Sequence, residues 1–94
     1  MKYLEIIKFR TTRNDREYIE SQLLSHLIRH GESNSEISVK IYTRDLIDSD
    51  FLIQLQYDSD ASGNAGSQLG LCLASALKEF GIVNHSVWTE LQKG

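Results

Sequence analysis

The segment GSQLGLCLASALKEFGIVNHSVWTEL, residues 66–91, decides the fold of this chain. Its first half predicts an amphipathic helix, capped by Ser67 or by an earlier Ser or Asn. The apolar stripe of that helix consists of Leu69, Leu73, Ala76, Leu77 and Phe80. Gly81 can end the helix, and the β-branched and aromatic residues of Ile82–Leu91 predict a strand that follows at once.

A similar unit comes earlier in the chain. Tyr3–Arg10 is rich in β-branched and aromatic residues and predicts a buried, central strand. Asn14 and Glu17 have the spacing of a capping box, which predicts a helix that continues to Gly31. We expect its apolar stripe to contain Ile19, Leu23, Leu24, Leu27, Ile28 and His30.

Two further strands lie between these units. Glu36–Arg44 and Phe51–Tyr57 both alternate between aliphatic and polar residues, with an aspartate-rich turn at Asp45–Asp50. The order strand-helix-strand-strand-helix-strand predicts an α+β, ferredoxin-like βαββαβ domain spanning residues 1–94. We expect one antiparallel four-stranded sheet with both helices on one face and the first and third strands in the middle.

Composition excludes several classes of partner. The net charge is −3 and Lys and Arg are scattered, which argues against nucleic acid or an anionic membrane. Neither a signal segment nor an apolar run of about 20 residues is present, so we expect a cytoplasmic protein. The single cysteine, Cys72, lies in a helical pattern and is expected to pack as a small apolar residue.

The face of the sheet away from the helices carries an unusual mixture of residues. Polar and aromatic side chains predominate, with three aliphatic ones among them: Ser38, Lys40, Tyr42, Gln54, Gln56, Leu52, Leu4 and Ile6. Such a face can be solvated, as in many antiparallel sheets. Alternatively, two copies packed face to face would enclose a polar, aromatic-lined space, and burying this face would support the thin core of so small a chain.

The segments SVKIYTRD (38–45), DFLIQLQYDSD (50–60) and GSQLGLCLASALKEFGIVNHSVW (66–88) resemble small bacterial proteins of the dimeric α+β barrel superfamily. The similarity is to the antibiotic-biosynthesis-monooxygenase-like branch and extends from about Ile37 to Trp88. It implies a homodimer whose two sheets form a barrel, often with a ligand pocket in each half. The branch includes cofactor-free oxygenases, heme-handling proteins and members without known activity.

Several residues are candidates for a site. His85 is a candidate proton carrier. However, it alternates in step with Val83 and Val87 along the strand, which places it on the side of the sheet that faces the helices unless the edge strand twists or bulges. Trp88 and Asn84 have the opposite parity, and Trp88 can form either a pocket wall or part of a dimer interface.

Tyr42 could orient a polar ligand together with Lys40 and Gln54, or it could simply face solvent. Gln54 and Gln56 are two amides that would need partners on an enclosed face. Those partners could be another subunit, water or a ligand.

Other patterns are weak. His26 and His30 have metal-compatible spacing but lack further ligands, and Asp45, Asp48 and Asp50 lack the glycine and glutamate of a calcium loop. Residues 62–66 precede a helix but lack the lysine of a phosphate-binding loop. We therefore expect neither a metal nor a cofactor.

The sequence supports three hypotheses. The first is a homodimer that binds a small organic molecule between the paired sheets. The second is a cofactor-independent monooxygenase or isomerase, in which the pocket orients a small aromatic or polyketide-like substrate and one base, His85, removes a proton. The third is a structural or regulatory dimerisation module without a ligand.

Overall fold

The computed structural model describes residues 1–11, 16–31, 37–47, 49–58 and 66–91, with side chains in the first helix described as far as residue 26. The elements in chain order are β1 (Lys2–Thr11), α1 (Arg16–Gly31), β2 (Ser38–Thr43), β3 (Asp50–Asp58), α2 (Gln68–Leu77) and β4 (Gly81–Thr89). The strands form one sheet in the order β2-β3-β1-β4, and every neighbouring pair is antiparallel. The predicted ferredoxin-like order, with the first and third strands central, is therefore confirmed.

The central strand β1 gives the sheet its two faces. It pairs in unbroken register with β3 and with β4, so that Glu5 lies opposite Leu55 on one side and Val87 on the other. Because side chains alternate along a strand, Ile7 and Phe9 point toward the helices, whereas Ile6 and its alternate neighbours point away. We call these two sides the helix face and the open face.

The hydrophobic core lies between the helix face and the two helices. It is formed by Ile7, Phe9, Ile19, Leu23, Phe51, Ile53, Leu55, Leu69, Leu73 and Leu77. Phe9 and Phe51 are partners in the β1–β3 ladder, and their ring centroids are 6.0 Å apart. Both helices thus contribute to one core, and neither helix covers the open face.

Two details of the helices differ from the prediction. Leu24 was expected to widen the stripe of α1 but is 56% exposed, because α1 contacts the core through the narrower row of Ile19 and Leu23. Helix α2 ends at Leu77 rather than continuing to Phe80, whose amide donates to the Leu77 carbonyl (2.9 Å) in a tight turn. Shortening the helix lets β4 begin at Gly81.

The ends of the helices test other predictions. Ser67 caps α2, since its hydroxyl accepts a hydrogen bond from the Gly70 amide (3.0 Å). The capping box that was expected before α1 begins at Asn14, which lies outside the described residues. Neither described helix combines the length and the apolar character that a bilayer-spanning segment requires.

Candidate functional site

The open face consists of four rows of side chains that run across the strands. From β2 to β4, the rows are Ser38–Gln56–Leu4–Trp88, Lys40–Gln54–Ile6–Ser86 and Tyr42–Leu52–Lys8–Asn84, followed by the three-membered row Asp50–Arg10–Ile82. Adjacent strands are about 4.8 Å apart and adjacent rows about 7 Å apart. Tyr42 and Trp88 therefore lie roughly 20 Å apart in one chain, too far for one small ligand to contact both.

One end of the open face forms a groove with a volume of about 540 Å³. We call it the arginine groove; its polar residues are Lys8, Arg10, Tyr42, Thr43, Arg44, Asp50 and Asn84. Leu52 and Ile82 provide apolar surface, and Ile82 is 67% exposed. The groove thus combines charged groups with an uncovered apolar wall.

A network of ion pairs organises this groove. The Asp50 carboxylate accepts hydrogen bonds from Arg10 at 2.9 and 3.2 Å, and from Arg44 at 3.3 Å. The hydrogen bond from Arg10 is the main reason that the pKa of Asp50 is lowered to about 2, with Ser49 and Arg44 acting in the same direction. The same bond raises the pKa of Arg10. Asp50 is consequently ionised at neutral pH and neutralises one of the two arginines.

The other end of the open face forms a second groove, of about 590 Å³. We call it the tryptophan groove; it is lined by Leu4, Gln56, Tyr57, Trp88 and Glu90, among others. Trp88 is 57% exposed, and its indole N–H donates to the Ser86 hydroxyl at 2.8 Å. This bond holds the indole on the open face.

The five predicted ligand-binding residues all lie on the open face but do not converge. Tyr42 and Asn84 line the arginine groove, whereas Trp88 lines the tryptophan groove. Lys40 and Gln54 are neighbours in the row between the grooves and line neither of them.

The helix face contains a cluster that sequence reasoning missed. Glu5 is completely buried, yet its carboxylate accepts hydrogen bonds from the Ser67 amide (3.0 Å), the Ser67 hydroxyl and His85 Nε2 (2.9 Å). Three donors satisfy a group that would be very costly to bury without partners. The positive end of the α2 dipole also lies beside this carboxylate. Glu5 therefore fastens the start of α2 to the central strand.

Two glycines make room for Glu5. Gly66 has φ of +130°, a backbone conformation that favours glycine, and a Cβ there would lie 2.7 Å from Glu5 Oε1. A Cβ on Gly70 would also overlap the carboxylate. The alternation of residues along β1 could have revealed this cluster, because Glu5 lies between Tyr3 and Ile7 at a position that faces the core.

His85 lies on the helix face, as its parity predicted, because β1 and β4 pair without a bulge. Its side chain is 15% exposed. The sheet separates it from the five open-face candidates. A ligand in either groove would therefore not contact the imidazole directly.

The structure assembles no metal centre from the residues it describes, since they contain no group of three or more His, Cys, Asp or Glu side chains suited to a metal ion. Cys72 is a partly buried free thiol on α2. Asp48, the His30 side chain and residues 62–65 lie outside the described residues.

Comparison with known proteins identifies the fold. No protein-family model and no curated protein sequence matches the chain. Among solved structures, it is similar to Rv0793 from Mycobacterium tuberculosis, with a TM-score of 0.66, 19% identity and coverage of 99% of this chain and 98% of the other.

Two further structures extend the comparison. SnoaB, a cofactor-independent oxygenase from Streptomyces nogalater, gives a TM-score of 0.61 at 15% identity and covers 98% of this chain and 95% of its own. A protein from Caulobacter crescentus CB15, provisionally assigned as an antibiotic biosynthesis monooxygenase, gives a TM-score of 0.70 at 9% identity. The match covers 97% of this chain and 91% of the other. The resemblance inferred from the sequence is thus confirmed at the level of the fold, which alone decides no activity.

Proposed function

We propose that this chain forms a homodimer through its open face and binds a small organic molecule between the two sheets. The observation that carries the proposal is the composition of that face. Trp88 and Tyr42 are 57% and 47% exposed in the single chain, and a groove lies at each end of the face. Tyr and Trp are enriched at protein interfaces relative to the rest of the surface.

The dimensions of the open face suit a second copy. Three strands of nine or ten residues and one of six, about 4.8 Å apart, give a flat area of roughly 550 Å². Protruding side chains increase the accessible area toward the roughly 800 Å² per partner of a standard interface. Ile6 and Gln54 lie in the row between the two grooves, so they would contact the second copy. The grooves on either side of this row leave space for ligands.

The volumes of the grooves support the second part of the proposal. Each lies within the range of about 300–1,000 Å³ that is common for small-molecule sites. A covering sheet would close them from above and exclude water. The fold is similar to that of SnoaB, a cofactor-independent oxygenase, which supports a role in binding a small molecule.

Sedimentation velocity at micromolar concentration tests the dimer. Ile6→Glu places a charge in the centre of the open face and should give a species with the mass of one chain. Ser75→Glu introduces the same charge on the exposed surface of α2 and should leave the dimer intact. If the wild type sediments as a monomer, or if both variants remain dimeric, the proposed interface is wrong.

A second candidate function is that of a cofactor-independent oxygenase or isomerase. The observation that favours it is the bond between His85 and Glu5, because a carboxylate that accepts from Nε2 fixes the tautomer and leaves Nδ1 able to accept a proton. This role requires a substrate on the helix face. Once a converted compound is found, folded His85→Ala should lose turnover but retain binding; unchanged turnover would exclude His85 as the base.

A further inference from the structure

The arginine groove has a charge opposite to that of the whole protein. It is lined by three cations, Lys8, Arg10 and Arg44, and by the single carboxylate of Asp50. The groove therefore has an excess of two positive charges, whereas the chain has a net charge of −3. An anion would be attracted to this part of the surface in particular.

The cations differ in their availability. Arg10 and Arg44 both donate to Asp50, so their guanidinium groups are partly neutralised. Lys8 lies between Leu52 and Asn84 in its row and forms no ion pair with any described residue. Its ammonium group is the one most able to bind an incoming anion.

The surroundings of Lys8 define the rest of the ligand. Leu52 and Ile82 offer apolar surface, and the Tyr42 ring lies in the same row as Lys8. A flat hydrocarbon or aromatic body can cover these groups, while Asn84 and the Tyr42 hydroxyl hydrogen-bond to polar substituents.

We propose that the arginine groove binds a small anion with a flat apolar body, such as an aromatic carboxylate or sulfonate, and that Lys8 binds its acidic group. This inference deepens the proposed function and rests on it for the small size of the ligand. It concerns a groove within one chain, so it can fail independently of the dimer.

The experiment uses two fluorescent probes of similar shape. 8-Anilinonaphthalene-1-sulfonate carries an anionic group, and N-phenyl-1-naphthylamine has the same ring system without it. We expect the anion to bind at least tenfold more tightly to the wild type. Lys8→Met should lower the affinity for the anionic probe roughly tenfold, because a charge-assisted hydrogen bond is lost. The affinity for the neutral probe should not change, because the apolar surface remains.

Lys78→Met is the matched control. Lys78 is an exposed residue at the end of α2, away from the open face, so its replacement removes the same charge and should change neither affinity. Asp50→Asn should strengthen binding of the anion severalfold, because it releases both arginines. Circular dichroism confirms that each variant is folded before it is titrated.

The outcomes separate this inference from the dimer. Equal affinity for the two probes, equal effects of Lys8→Met and Lys78→Met, or no binding of the anion by a dimeric protein would overturn the inference and leave the dimer standing. A monomer that shows the expected pattern would support the inference and refute the proposed dimer.

Discussion

Replacement of Glu5 by alanine tests the role of the buried cluster. The change removes the acceptor for the Ser67 amide, the Ser67 hydroxyl and His85 Nε2, and leaves a cavity under the start of α2. Each buried donor left without a partner costs about 1–3 kcal/mol, and the change leaves three donors without one. We expect a loss of about 3–5 kcal/mol, a large part of the roughly 5–15 kcal/mol of a typical domain.

Urea denaturation at one fixed protein concentration measures this loss, since the stability of an oligomer depends on concentration. The matched control is Glu20→Ala on α1, where the carboxylate is 45% exposed and pairs with Arg16 at 2.9 Å. An exposed pair of this kind contributes less than about 1 kcal/mol. If Glu5→Ala costs no more than Glu20→Ala, the cluster does not anchor α2 and our reasoning about it is wrong.

Three other predictions concern the same structural features. Gly70→Ala should destabilise the protein, although alanine is about 1 kcal/mol more favourable than glycine in a helix, because the new Cβ would overlap the Glu5 carboxylate. In the Glu5→Ala background this overlap is absent, so a double-mutant cycle measured in urea should show that Gly70→Ala no longer destabilises the protein. Ser67→Ala should cost about 1–3 kcal/mol because both the helix cap and a bond to Glu5 are lost, and Ser67→Thr should restore part of it; equal stability of Ser67→Ala and the wild type would contradict this. The pKa of Asp50 is lowered to about 2, so its contribution to stability is full above about pH 4 and is lost as the pH falls toward 2. The melting temperatures of wild type and Asp50→Asn should converge over that interval; a constant difference from pH 5 to pH 2 would refute the assignment.

The order of elements and the two faces of the sheet could be predicted because they depend on local periodicity. Alternation along β2 and β3 correctly separates Ile53 from Gln54, and the inward parity of His85 follows from the same rule. Such patterns extend over a few residues, so the amino-acid sequence of one element is sufficient to reveal them.

The arrangement of the candidate site could not be predicted in this way. Whether Tyr42 and Trp88 share a groove depends on the register among four strands, which no single strand encodes. Glu5 was overlooked because a charge in an apolar strand is conspicuous only when its donors are known, and these come from Ser67 and His85, more than sixty positions later in the chain.

Quenching of the single tryptophan by acrylamide tests the central claim most directly. Trp88 is more than half exposed in one chain, and a second copy on the open face would shield it. We predict weak quenching at micromolar concentration, at which we also expect the protein to sediment with twice the mass of the chain, and stronger quenching upon dilution as the proposed dimer dissociates. Quenching that is as strong in the wild type as in Ile6→Glu at every concentration would contradict the account.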